Sequence, residues 1–328
     1  MPLAACLALL PAASLALTAS DDEGCRADLA ALQAVVGVSA TGTEPGEFLP
    51  DGGPVFRDGQ CELPDLRIPL SGGSIRPEYR LAPIRWQAEW ADDSRPMPPA
   101  NLSLDIPDIR QRFDPDGEGG VDPAFAYQME LISDINSFAL HLDYSYASET
   151  GQFDLTKFSF GDDGDNRMTL SASLSGADLA GIFAAGPSGP PPLDKLATIR
   201  LNDATLTLGN GGFFETMTMG WLNLIQPAFG PTPKEAVEGV KLYARDQIAA
   251  MPETLIADDG RAALTALVDS LPHPLGTLTL RLDAPEGIVP GRFAMTAALV
   301  ENPGWASFEP LLDGARIEAE WQPAPPRD

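Results

Sequence analysis

The sequence predicts an α+β fold that is mainly β, a large curved antiparallel sheet of meandering hairpins with a helical layer over roughly 214–271 packed on it or capping it. Three observations lead there. Apolar residues fall at every second position in short stretches along most of the chain, the period of a half-buried strand. Gly (31) and Pro (32) collect between those stretches, as tight turns joining many short strands require. Between Leu193 and Leu282 the pattern runs strand, strand, helix, helix, strand, and the two helices each carry an apolar stripe that needs a sheet or a groove to cover it.

Taken in order, the first twenty residues hold no Asp, Glu, Lys or Arg and are mostly Ala and Leu. Small residues, Thr18, Ala19 and Ser20, precede an acidic run from Asp21, which reads as a secretory leader and its cleavage site, although no basic residue marks its start. Leu3-Ala4-Ala5-Cys6 has the letters of a lipobox without an apolar region before it. Export implies an oxidising compartment, so Cys25 and Cys61 are expected to form a disulfide closing a loop of about 35 residues.

Cys25 opens a short helix with Leu29, Leu32 and Val36 on one face and Gly37 as its stop. Residues 39–60 are rich in Gly, Pro, Asp and Thr and read as irregular. From Leu63 strands dominate: Ile84, Trp86, Ala88 and Trp90, then Leu102, Leu104 and Ile106, then Phe138, Leu140, Leu142, Tyr144 and Tyr146. Asp154–Phe160 and Met168–Leu174 form a hairpin around the polar turn 161–166. A loose repetition of strand, glycine-containing turn and strand covers Phe153–Gly176, Leu196–Met219 and Thr277–Val300. Two strands, Leu196–Asp203 and Ala204–Gly209, lead to the turn Asn210-Gly211-Gly212. Pro233 then opens one helix, Asp258 or Asp259 caps a second, and Pro272 stops it. Leu278, Leu280 and Leu282 point inward on the next strand, and Ile317, Ala319 and Trp321 do so on the last. The organisation expected is a leader over 1–20, a helix and disulfide-closed loop over 21–62, a β-rich lobe over 63–184, a Pro/Gly linker over 185–192 and a β-helix-β lobe over 193–328.

A formal charge of −26 repels phosphate backbones and anionic headgroups, which sets aside nucleic-acid binding and electrostatic membrane attachment; after the leader no apolar run is long enough to span a bilayer. The most specific local signal for a ligand is the run Asp114 to Asp122. It places Asp114, Asp116, Glu118 and Asp122 at positions one, three, five and nine of a calcium loop with Gly119 at six, but puts Phe125 where a bidentate Glu belongs. For catalysis there is no G-x-S-x-G, S-x-x-K or H-E-x-x-H. His141 lies on the polar face of its strand and His273 between two prolines. Aromatic residues able to line a ligand groove are Trp86, Trp90, Tyr144, Phe158, Phe160, Phe293 and Trp321, each of which could equally fill a core.

The succession Leu196-Ala197-Thr198-Ile199-Arg200-Leu201-Asn202-Asp203, Gly211-Gly212-Phe213-Phe214, Leu271-Pro272 and Leu278-Thr279-Leu280-Arg281-Leu282 resembles a family of uncharacterised exported β-rich proteins of Gram-negative bacteria. More distantly it is similar to YdgA-like and AsmA-like envelope proteins. That resemblance implies a long curved sheet that cradles lipid, and it transfers no catalytic residues. The function expected is a periplasmic, non-enzymatic binding or scaffold protein that holds a lipid, another amphiphile or an envelope protein against an apolar concave face. The alternatives are a hydrolase whose catalytic carboxylates are dispersed in sequence and a calcium-stabilised interaction module.

Overall fold

A computed structural model describes residues 17–36, 53–69, 76–91, 95, 98–114, 127–128, 131, 137–162, 164–184, 193–212, 214–215, 228–299 and 305–325. Among them thirteen strands form one antiparallel sheet. They are β1 (Leu17–Thr18), β2 (Val55–Arg57), β3 (Gln60–Leu63), β4 (Leu66–Pro69), β5 (Arg76–Leu81), β6 (Ile84–Trp90), β7 (Asn101–Asp114), β8 (Ser137–Ala147), β9 (Gln152–Gly161), β10 (Arg167–Ser175), β11 (Arg200–Asn210), β12 (Gly276–Ile288) and β13 (Arg316–Pro323). Ten of them follow one path, β2-β3-β6-β7-β8-β9-β10-β11-β12-β13. The short β1 pairs with the end of β6, and the β4–β5 hairpin adds to the far half of β7. The fold is therefore mainly β, as the alternation predicts. Strands β10 and β11 pair from Arg167–Gly209 to Ser175–Arg200, so the two stretches read as separate lobes share one sheet. The linker expected over 185–192 lies outside the described residues.

Among the described residues four helices stand beside the sheet, α1 (Asp22–Val36), α2 (Pro233–Ala250), α3 (Asp258–Asp269) and α4 (Pro290–Leu299), with shorter helical turns at Leu179–Ala184, Leu193–Leu196 and Trp305–Phe308. Pro233 occupies the first turn of α2 behind Thr232, whose hydroxyl accepts from the Glu235 amide while the Glu235 carboxylate accepts from that hydroxyl. The pair ties the first turn of the helix to its cap. Helix α2 leads into α3, which packs along β13. Within the described residues no helix is long and apolar enough to cross a membrane.

Several local expectations are corrected. Residues 39–60 contain β2 and the start of β3, joined through Asp58 and Gly59 at φ 52° and 82°. Asp-Gly with both φ positive is the two-residue turn whose twist matches a hairpin. Leu196–Gly209 is one strand preceded by a helical turn rather than two strands. In Thr277–Val300 the second strand is replaced by α4, because Pro290 supplies a helical first turn and has no N–H for a ladder. Helix α1 starts at Asp22, ahead of Cys25, where Asp21 Oδ1 accepts from the Gly24 amide at 2.8 Å. The cap of α3 is Ala257, with Asp258 and Asp259 in the first turn, and the helix ends at Asp269, before Pro272.

Burial concentrates at the two ends of the sheet. At the first, α1 lies over β3, β6 and β7 with Cys25, Cys61, Leu63, Ile84, Trp86, Ala88, Trp90, Leu102 and Ile106 beneath it. The Cys25–Cys61 disulfide ties α1 to β3. Asp28 of α1 is fully buried and accepts from Trp90 Nε1 at 2.8 Å and from Arg95 Nε at 2.9 Å, so the helix is fixed to β6 by a charge-assisted contact as well. At the second end Leu255, Ala284, Ile288 and Ala315 pack with Leu201, Leu282, Phe293, Leu312 and Ile317. Replacing both cysteines by serine is expected to lower stability by roughly 3 kcal/mol by freeing the loop between α1 and β3 in the unfolded chain. Urea unfolding of wild type with and without reductant, beside the double variant, measures it; coincident midpoints would remove the disulfide from the account.

Candidate functional site: an apolar sheet face with two hollows

Register places one apolar residue from every strand of the path in a single row. Phe56, Cys61, Trp86, Leu104, Leu142, Phe158, Leu170, Leu206, Leu280 and Ala319 are successive cross-strand partners from β2 to β13. A flanking row runs Ile106, Leu140, Phe160, Met168, Leu208, Leu278 and Trp321. On the other side of the first lie Ala88, Leu102, Tyr144, Leu155, Ala172, Ala204, Leu282 and Ile317. The opposite face is as consistently polar: Glu62, Arg85, Asp105, His141, Ser159, Thr169, Thr207, Thr279 and Glu320 are partners in the same manner.

The apolar face is fully buried at its first end and only half-buried at Leu142, Phe158, Leu170 and Leu206. Among the described residues two hollows open on it. The larger, about 420 Å³, has a floor of Leu201, Ala204, Leu206, Leu280, Leu282 and Ile317 from β11, β12 and β13. Its other wall is Ile288, Pro290, Phe293 and Leu312; the one charged residue at its border, Arg281, turns its side chain to the opposite face, where it meets Glu318 and Glu320. The Phe293 and Phe308 rings stack with centroids 5.8 Å apart, which holds Phe293 in that wall. The smaller hollow, about 200 Å³, is lined by Phe138, Phe160, Met168 and Leu208 with Gly161, Arg167 and Gly209 near the strand ends and Asn166 of the turn. Leu206 and Leu208 are two apart on one strand and share a face, so the hollows adjoin at a spacing of about 7 Å along β11. Volume and lining suit the apolar part of a small molecule.

The candidate groove aromatics divide. Trp86 and Trp90 are 2% and 0% exposed and belong to the core beneath α1, which corrects their reading as groove residues. Tyr144 packs against that core and against Phe153, at 5.0 Å between centroids; burial pushes its phenol pKa above the ordinary tyrosine value. Phe158 stands on the open middle of the face, Phe160 in the smaller hollow stacked on Phe138, and Phe293 in the wall of the larger one, on a helix rather than a strand. Trp321 is half-buried opposite Leu278. The aliphatic floor was marked in the sequence by alternation at Leu280, Leu282 and Ile317, but nothing in the period separates a floor left uncovered from a packed core. Of the calcium-loop residues, Asp114 ends β7, and Asp116, Glu118 and Asp122 lie outside the described residues. Among the described residues no group of His, Cys, Asp and Glu is arranged to hold a metal ion.

On the polar face the ring of His141 meets Asp143 Oδ2 at 2.6 Å through Nε2 and Asp105 Oδ1 at 3.5 Å through Nδ1. Partial burial raises the pKa of the Asp143 carboxyl, but hydrogen bonds from Ser103 and His141 outweigh it and hold the pKa below the ordinary value of 3.8. The three side chains tie β7 to β8 on the side away from the hollows. No protein-family model matches the chain, and no curated protein matches it. The class defined by fold and site is thus a one-sheet, mainly β protein with an apolar face that carries two hollows and a polar face behind it.

Asp143→Asn is expected to cost roughly 1 kcal/mol at neutral pH. A depressed folded-state pKa contributes stability above the unfolded value, and that contribution is lost as pH falls through the folded one. Urea titrations from pH 7 to pH 3 should therefore show wild type and variant converging below about pH 4; a constant gap would mean the carboxylate charge is not involved.

Proposed function

We propose that this is an exported, non-enzymatic binding protein that holds the hydrocarbon part of a lipid or another amphiphile on the apolar face, on behalf of the cell envelope. The observation that carries the reading is the apolar row through ten strands, with a 420 Å³ hollow whose one charged border residue turns its side chain away. Burying hydrocarbon on such a surface gains about 25 cal/mol per Å² and needs no directional partners, so the site suits a chain rather than a polar metabolite. The resemblance to YdgA-like and AsmA-like proteins points the same way. Export to the periplasm is supported by the disulfide, since such bridges persist in oxidising compartments, and by the uncharged run that precedes Asp21.

Native mass spectrometry of the protein purified from its own compartment, with solvent extraction of whatever is bound, tests the reading. A co-purifying amphiphile is the expected result, reduced at least about tenfold in Leu206→Asp, because a carboxylate in the hollow must be desolvated by the ligand. A bare wild-type protein that also fails to take up a fluorescent single-chain amphiphile would overturn it. The same spectrum gives the mature mass and so tells whether Leu17 and Thr18, which pair with Trp90 and Glu89, remain on the exported chain.

A further inference from the structure

Residues 17–20, expected from the sequence to leave with the leader, are built into the first end of the sheet. Leu17 pairs with Trp90 and Thr18 with Glu89. Glu89 also pairs with Asn101 of β7, so β1 takes the opposite edge of β6, the edge that β3 occupies over Ile84–Trp86. Without β1 the backbone of β6 at Glu89 and Trp90 would lose its partner on that side. Leu17 and Ala19 pack against the core beneath α1, while Thr18 and Ser20 are exposed, so the segment alternates as a strand does. Ala19 in turn lies against Gly24 in the first turn of α1, where a Cβ on the glycine would come within 3.1 Å of both the Cα and the Cβ of Ala19. Glycine weakens a helix relative to alanine; at position 24 it makes room for the segment that precedes the helix. A cut after Ser20, where Thr18, Ala19 and Ser20 would place it, discards all of these contacts. Ahead of β1 the last triplet with small residues at its first and third positions is Ser14-Leu15-Ala16, and it follows an uncharged, mostly apolar stretch, the pattern at which a secretory leader is cut.

We propose that the leader is removed at the Ala16–Leu17 bond, so that the exported protein begins at Leu17 with β1 intact. Water adds across that amide, leaving a carboxylate on Ala16 and an ammonium group on Leu17. The proposal rests on the export reading and names the processing site that this reading leaves open. Residues 17–20 then belong to the folded protein, where they close the edge of β6 beside the helix that the disulfide holds.

N-terminal sequencing of the protein purified from its own compartment tests the site and should read Leu-Thr-Ala-Ser-Asp. Ala16→Tyr, which replaces the small residue next to the cut, should raise the uncleaved fraction at least about tenfold, whereas Ser20→Tyr, at an exposed position, should be processed as wild type is. Leu17→Ser separates the two placements in the exported protein itself. If Leu17 is retained, the variant differs from wild type by the mass of that exchange and melts at least about 2 °C lower; if Leu17 is lost with the leader, the two exported proteins are identical. A first residue other than Leu17, processing that Ser20→Tyr blocks and Ala16→Tyr does not, or a Leu17→Ser protein with the mass and melting temperature of wild type would each overturn the site while leaving export in place. A wild-type chain recovered uncleaved from the cytoplasm would overturn the export reading and the proposal together.

Discussion

Everything in this protein depends on keeping one face of a ten-strand path apolar from edge to edge. Side chains alternate with period two, so a single extra residue in any strand would send all the following apolar residues to the polar side. The chain contains such extra residues, and the sheet absorbs each as a bulge. In β9 Phe153 and Leu155 alternate correctly, Thr156 and Lys157 follow as two consecutive polar residues, and Phe158 and Phe160 resume the pattern. Leu142 pairs with Phe158 but Tyr144 with Leu155, and β10 shows the same slip, with Leu170 opposite Phe158 and Ala172 opposite Leu155. Both Thr156 and Lys157 are exposed. The Pro107-Asp108 step in β7 and the Asn202-Asp203 step in β11 coincide with register shifts of the same kind. Bulges also increase local twist, so the devices that preserve the face also bend the sheet.

A face so continuous has to be covered, and the two ends solve this differently. At the first end α1 is held by a covalent bond to β3 and by Asp28 bonded to Trp90 and Arg95, and the indoles of Trp86 and Trp90 fill the space between. At the other end the cover is built from loop residues Leu255 and Leu312, the last residue of β12, Ile288, and Phe293 of the short helix α4. Cover of that kind meets the floor at a few points and leaves a hollow of about 420 Å³ between them. One end is thus tied by a covalent bond and a buried carboxylate, and the other leaves part of the apolar floor uncovered.

Much of this architecture was legible in the sequence because it rests on local rules. Alternation marked β6, β8, the β9–β10 hairpin and β13, Pro233 marked the start of α2, and the two cysteines found each other. The failures have physical causes. Asp58-Gly59 is a strong hairpin signal, but it joins strands of three and four residues, too short for a period to show. Over α4 and the residue before it, Val289, Phe293, Met295 and Leu299 match a strand nearly as well as a helix, and only Pro290 argues for the helix. Trp86 and Trp90 were candidates for a groove because alternation tells which face a residue takes and not what lies over that face; cover depends on contacts with α1, far away in the sequence. The hollow was invisible for the same reason.

The polar side of the sheet and its edges bear on what reaches the apolar face. An exposed strand edge invites pairing with another chain. Here the edge at β13 is partly met by Leu255 and Ile256, whose backbone joins that of Ile317, and β13 itself presents Glu318 and Glu320 beside Arg281. The far edge, β2, is three residues long. The row from Glu62 to Glu320 covers the back of the sheet with polar groups, and the surplus of acid repels like copies. Backbone pairing at these edges is thereby limited, so the sheet's apolar surface is offered to a partner through side chains on one face and not through its strand edges.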